Sequence, residues 1–204
     1  MTHSKNRAKL KLNMDKTTLF NQALSLIGAG RFQQGSGVQS PCELWLPLVL
    51  REATVRHNWS FARRITTITP EADGTYHLPS DCMNPLYFRD SATGTLPSRY
   101  IVIGRHIHTE HTGPATLIYQ SDAIATHQEL PDSSPEFCTA VAYLLAARIS
   151  RECTGTHDSA AHCEQMAEIQ FEKAITRDAQ ADASNKSDPL SATNSPPWLD
   201  ERYY

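Results

Sequence analysis

Three histidines in His106-x-His108-x-x-His111 are the first group whose types and spacing fit metal chemistry. Alternate residues of a strand point to one face, so His106 and His108 would share a face. His111 would come in from the following turn, giving the imidazole set that zinc takes. That spacing is not specific, and a zinc site also needs further ligands and outer partners for its rings. Beside Arg105 and Glu110, solvated histidines on a surface hairpin are the plainer expectation. Cys153, His157, His162 and Cys163 form a second group with soft donors, Cys153 and His157 straddling Gly155. Core thiols and a capping imidazole are expected there instead of an ion. Glu164/Glu168 and Glu168/Glu172 lie one helical turn apart, which reads as a solvated face and not as an acid–base pair.

Nucleophilic catalysis has no set to stand on. No Gly-x-Ser-x-Gly occurs, and Gly35-Ser36-Gly37 lacks both that spacing and a preceding strand. Gly28-x-Gly30 follows a helical pattern, so neither a dinucleotide fingerprint nor a phosphate loop is expected. The chain is read as no enzyme, with no cofactor. Arg51, Arg56 and Arg63-Arg64 could touch phosphate, but they lack interleaved aromatics. Salt bridges to neighbouring subunits are the expected use.

Composition agrees. The 204 residues are 40% hydrophobic and 20% charged, and 19 Lys+Arg against 22 Asp+Glu leave −3. One core of ordinary size fits, whereas a highly charged disordered chain or a generally basic nucleic-acid binder does not. Charge is uneven, however: residues 1–16 carry Lys5, Arg7, Lys9, Lys11 and Lys16 against Asp15, while 178–204 carry Asp178, Asp182, Asp188, Asp200 and Glu201 against Lys186 and Arg202. No run approaches eighteen apolar residues, so no membrane span is expected, and the basic start runs into Asn13, Met14 and Asp15 instead of a signal-peptide apolar stretch. An intracellular protein, when made, is the expectation. Cys42, Cys82, Cys138, Cys153 and Cys163 are odd in number and widely spaced, which predicts free thiols acting as small buried hydrophobes.

The elements that would position these groups follow from periodicity. Thr17 or Thr18 is expected to cap a first helix carrying Leu19, Phe20, Ala23, Leu24 and Ile27, stopped by Gly28-Ala29-Gly30. Ser40-Pro41-x-Glu43 predicts a second helix to about Asn58, with Ser40 as cap, Pro41 first in the helix, and Pro47 kinking it. Short β-branched and aromatic runs at 65–69, 75–78, 86–89, 100–107 and 115–119 predict one small antiparallel sheet. Asp73-Gly74 is expected as a tight hairpin turn, and His111-Thr112-Gly113-Pro114 as another turn. Ser134-Pro135-Glu136 opens a central third helix with Phe137, Val141, Leu144, Leu145, Arg148 and Ile149 in register. Gly155 ends it, and Thr156 or Asp158 caps a fourth helix with a stripe of Met166, Ile169, Phe171 and Ile175 to about Ala179. Trp59 and Phe61 are expected to plug the core where bundle meets sheet.

The resulting expectation is an α+β fold. It is an antiparallel four-helix bundle with a small inserted antiparallel β-sheet or hairpin region and an extended C-terminal arm. The divisions are 1–16, a basic flexible arm; 17–62, helices one and two; 63–130, the β region; 131–180, helices three and four; and 181–204, the arm. After a polar linker the arm ends in Pro196-Pro197-Trp198-Leu199-Asp200-Glu201-Arg202-Tyr203-Tyr204. Aromatics on a stiff diproline read as a docking peptide, because aromatic side chains supply most anchor energy at interfaces.

Four stretches, in order, resemble the head-to-tail adaptors of tailed bacteriophages, in particular the tail tubular protein A family of short-tailed phages and related head-completion proteins. They are Phe20-Asn21-x-Ala23-Leu24-x-x-Ile27-Gly28; Asn58-Trp59-Ser60-Phe61-Ala62; Tyr76-x-Leu78-Pro79-x-Asp81; and Leu130-Pro131-x-x-x-Pro135-x-Phe137 leading into Ala142-x-x-Leu145-Ala146-x-x-Ile149. The resemblance covers about residues 17–177. It implies a homo-oligomeric ring, twelve subunits in the family, at the head–tail junction of the virion, with host cytoplasm as the place of assembly. The portal protein would lie on one side and the next tail component, a nozzle or tail tube, on the other. Double-stranded DNA would pass through the lumen without being read. It further implies a C-terminal arm reaching the portal, here through Trp198, Leu199, Tyr203 and Tyr204. The alternative from another class is a small metal-binding or hydrolytic protein using His106, His108 and His111. A third is a module whose basic arm binds nucleic acid.

Overall fold

Asp15 opens the first helix, α1 (Lys16–Leu26), by accepting the Thr18 N–H at 2.7 Å on its side chain. The cap therefore lies two to three residues before the expected threonines, where a carboxylate also meets the positive end of the helix dipole. The same hydrogen bonds from Thr18 hold the Asp15 carboxyl below its ordinary range. At the other end Gly28 sits at φ +69°, and Ala29 N–H reaches Leu24 O (2.9 Å) while Gly28 N–H reaches Ser25 O (3.2 Å). This is the paired bond pattern that closes a helix on a left-handed residue.

The computed structural model describes residues 15–32, 39–94, 99–128, 130–131, 133–154 and 159–184. Outside them lie the basic segment before residue 15, Gly35-Ser36-Gly37, Gly155 with the caps Thr156 and Asp158, His157, and the tail with Trp198, Leu199, Tyr203 and Tyr204. Helix α2 (Gln39–Val55) starts before Ser40-Pro41, which makes Pro41 its third residue, still within the first turn whose N–H groups have no helical acceptor. It runs through Pro47 and stops three residues short of Asn58.

A single 3-10 turn (Ser60–Ala62) then leads into β1 (Arg63–Ile68), β2 (Tyr76–His77), β3 (Cys82–Asp90), β4 (Tyr100–Ile103), β5 (His106–Thr109) and β6 (Ala115–Ser121). Helices α3 (Ala123–His127), α4 (Pro135–Thr154) and α5 (Ala160–Ser184) follow. The four-helix bundle with one small inserted sheet is thus wrong in two respects. Among the described residues the α+β chain has five helices, and its strands form two separate three-stranded antiparallel sheets, β1-β6-β3 and β2-β5-β4.

Two glycines explain the second error. Gly104 (φ +60°) breaks the apolar run expected as one strand at 100–107 into the hairpin β4–β5, which pairs Tyr100 with Thr109 and Ile103 with His106. Gly74 (φ +82°) turns the chain from β1 out of the first sheet into β2 of the second, so Asp73-Gly74 joins strands that do not pair. Helix α3 escaped notice because five residues are too few to show a 3.6-residue period. Pro85 is accommodated on an edge strand, β3, between two register shifts.

Two buried clusters result. One lies among the helices, from Leu19 and Phe20 through Leu46, Leu50 and Trp59 to Phe137, Leu145 and Phe171. The other lies between the sheets and contains Tyr76, Phe88, Ile107, Leu117 and Tyr119. Helix α4 begins at Pro135 as expected, with Phe137, Val141, Leu144, Leu145 and Ile149 buried. In α5 the buried face is Cys163, Ala167, Phe171, Ala174 and Asp178, while Ile169 is exposed. The expected stripe is rotated because small residues let α5 approach the alanines of α4 closely.

Candidate functional site

Strand β6 is the middle strand of the first sheet, and its residues turn alternately to the two sides. Ala115, Leu117 and Tyr119 enter the cluster between the sheets, whereas buried Gln120 reaches the end of α2. Its Nε2 donates to Thr54 O at 2.5 Å and to His57 O at 2.7 Å. Thr54 O belongs to the last turn of α2, whose carbonyls lack intrahelical donors, and His57 O, two residues past the helix, also accepts the Trp59 N–H (2.9 Å), so one side chain fixes the sheet to the end of α2. Nearby, Trp59 is fully buried and donates its indole N–H to Ala53 O (3.0 Å). Its ring stacks on half-buried Phe61 at 5.4 Å, and both meet Phe137 edge-on at 5.0 Å. Ser60 closes the joint from the other side: its N–H and hydroxyl donate to Asp178 of α5, the hydroxyl at 2.5 Å.

At the same end of β6, Asp81 accepts from Ser121 Oγ (2.7 Å) and Tyr119 Oη (3.0 Å), the residues flanking Gln120, with Arg64 Nε at 3.7 Å. Burial alone would raise the Asp81 carboxyl, but those donors and the Arg64 cation bring it below its ordinary range. Burial and then the Asp81 hydrogen bond push the Tyr119 phenol up to about 12.

The histidine set does not converge. His106 and His108 do share the outer face of β5, but His106 meets the His77 ring edge-on at 5.0 Å. His111 lies apart, stacked on Tyr76 (6.1 Å) with Nδ1 3.7 Å from Asp90. Cys163 is buried inside the helical cluster, and His162 beside it is exposed. Among the described residues no three His, Cys, Asp or Glu side chains gather as a metal would need. All five thiols are free, and Cys42, Cys82, Cys138 and Cys163 are buried. Burial pushes the Cys42 thiol up to about 12 and the Cys82 thiol to about 11.

The arginines read as possible phosphate contacts are used within the chain. Arg56 clamps Glu168 (2.6 Å to both oxygens) and Glu52 (3.0 Å), with its guanidinium 4.6 Å over the Phe171 ring. Arg148 joins Glu52 (3.1 Å) and Glu164 (3.3 Å). The five charges tie α2, α4 and α5 together. Arg51 meets Asp122, and Arg63 meets Asp182 at 2.6 Å. The carboxylates Glu164 and Glu168 are therefore partners of cations.

What is left for a partner is apolar surface. All four residues of β4, Tyr100-Ile101-Val102-Ile103, are exposed, Ile101 by 59% and Ile103 by 58%, and β4 is an edge strand. On α2 Leu44 (62%), Leu48 (58%) and Val55 (65%) point outward. Single exposed leucines need no explanation, whereas contiguous apolar groups mark interaction sites. Sequence reading missed this, although a signal was present: a strand without alternation and without charge is either buried on both faces or bare on both. Among the described residues no helix is long and apolar enough to cross a membrane.

No protein-family model matches this chain, and comparison with curated proteins gives no match.

Proposed function

We propose that the chain is a structural subunit of an adaptor ring that joins the portal of a short-tailed bacteriophage to its tail, with no chemistry of its own. One observation carries the reading. Two stretches that resemble that family, Asn58-Trp59-Ser60-Phe61-Ala62 and Pro135-x-Phe137, are far apart in sequence and meet in one aromatic cluster, Trp59 and Phe61 each 5.0 Å from Phe137. The other two form the latter part of α1 with its end, and the run from β2 of the second sheet toward β3. In this reading the helices form the wall of a ring, twelve copies by the resemblance, with double-stranded DNA in the lumen. The region of the sheets faces the next tail component, and Trp198, Leu199, Tyr203 and Tyr204 seat on the portal. A ring needs two different side surfaces that fit each other, and exposed Leu44, Leu48 and Val55 of α2 offer an apolar patch for one of them.

The test is co-sedimentation with portal rings, together with mass measurement of the complex. The unaltered chain is expected to bind, with a mass set by a fixed number of copies. Full-length chain carrying Trp198→Ala, Leu199→Ala, Tyr203→Ala and Tyr204→Ala is expected to keep its melting curve and lose binding. Failure of the unaltered chain to bind overturns the adaptor reading; undiminished binding of the variant overturns the docking role of the arm.

A further inference from the structure

Strand β4 is an edge without protection. Natural edges are blunted by charge, proline, a bulge or a cover, and Tyr100-Ile101-Val102-Ile103 has none of the first three. Its two faces are both apolar. Val102 lies beside buried Ile107 and Tyr100 reaches the Phe88 ring (5.7 Å), while Ile101 and Ile103 lie on the outer face beside His108 and His106. A covering strand must therefore offer apolar side chains at consecutive positions, one for each face, where an alternating strand would meet only one. The hairpin is also basic: from Arg99 to Thr109 it carries Arg99, Arg105, His106 and His108 and no acid. The occupant needs carboxylates beside its apolar pair.

We propose that the chain's own segment Trp198-Leu199-Asp200-Glu201 adds to β4 as a fourth strand of the second sheet, within the same molecule. It places two large apolar residues in succession, follows them with two carboxylates opposite Arg99 or Arg105, and is preceded by Pro196-Pro197, which ends a strand cleanly. Chain length permits it. Helix α5 ends at Ser184, close to the start of β1, where Asp182 holds Arg63. From there to Tyr100, through β1, β6, β3 and Phe88, the straight span is on the order of 40 Å at ordinary strand spacings. The linking residues 185–197 span roughly 45 Å when extended. The inference stands without the portal reading. If the segment also serves the portal, the two sites compete for it.

Hydrogen exchange on the full chain, read by peptide, tests it. Amides of 99–104 and of 197–202 are expected to exchange at least ~10-fold more slowly than in either of two full-length variants, Ile101→Asp in β4 or Trp198→Ala with Leu199→Ala in the tail. Each variant is expected to release both segments. Ile101 is exposed and belongs to neither buried cluster, so its change should not shift the melting of the helices. Free-peptide exchange of 197–202 in the unaltered chain overturns the proposal. So does β4 protection that ignores the tail variant. Protection that grows with protein concentration and dimer mass also overturns it, assigning the edge to a second copy.

Discussion

The Gln120 side chain ends the helix that precedes the sheets: its Nε2 lies 2.5 Å from Thr54 O and 2.7 Å from His57 O, and the residue is 2% exposed. A glutamine on a central strand thus does what a C-terminal glycine does for α1. Replacing it by leucine would take the side-chain donor from buried Thr54 O and leave His57 O with the Trp59 N–H alone. Gln120→Leu is expected to cost about 1–3 kcal/mol, measured as a lower urea midpoint with unchanged slope. Gln120→Glu should be worse, since a carboxylate would face the same two oxygens.

Trp59 offers a cleaner separation of packing from hydrogen bonding. Trp59→Ala removes a fully buried ring touching Phe61 and Phe137 and is expected to cost about 3–5 kcal/mol. Trp59→Phe keeps an aromatic but loses the N–H to Ala53 O, so its cost combines a smaller cavity with about 1 kcal/mol for the bond. Thermal unfolding of both variants distinguishes the two contributions. Equal losses would mean that the ring contacts contribute little.

Acid should loosen the helix triplet through Glu52. Burial raises its carboxyl, but hydrogen bonds and charge from Arg56 and Arg148 outweigh that and hold it below 4.5. A carboxylate lowered in the folded state stabilises above its unfolded value, and that contribution is lost as pH falls through the folded one. Melting temperature against pH should therefore show the unaltered chain above Glu52→Gln at pH 7. The gap between the curves should begin to close below pH 4.5 and go on closing as pH falls through the lowered folded value. Parallel curves down to pH 3 would show that the network carries no pH-dependent stability.

Thiol reactivity should follow burial. Native protein at pH 8 is expected to label first at half-buried Cys153, with Cys42 and Cys82 slowest because their thiols are pushed to about 12 and about 11. All five should react on unfolding. Rapid native labelling of Cys42 would mean that α1, α2 and α4 open together.

The long helices were readable because capping and apolar period act locally: Pro135 opens α4 where Ser134-Pro135-Glu136 says it should, and Leu19, Phe20, Ala23 and Leu24 face inward as spaced. The exchange of partners between strands was not readable. Nothing within Tyr100-Ile101-Val102-Ile103 says that Gly104 folds it back, or that β2 crosses to pair with β5 instead of β1. The five-charge network and the bonds of Gln120 and Asp178 also depend on neighbours distant in sequence. Trp59 and Phe61, expected to plug the core where bundle meets sheet, come together with Phe137 of α4. The three histidines do not come together, since two share the outer face of β5 and one sits among aromatics.

Among the described residues, the buried cluster between the sheets shares no member with the one among the helices. A pull on the β4–β5 hairpin is therefore not resisted by the helices directly. The load crosses β6, whose bonds to its two neighbours lie across the strand and are strained in shear, and then the Gln120 amide. Such a load reaches the helical body at the attachments of the first sheet, the Gln120 amide and the Arg63–Asp182 pair among them.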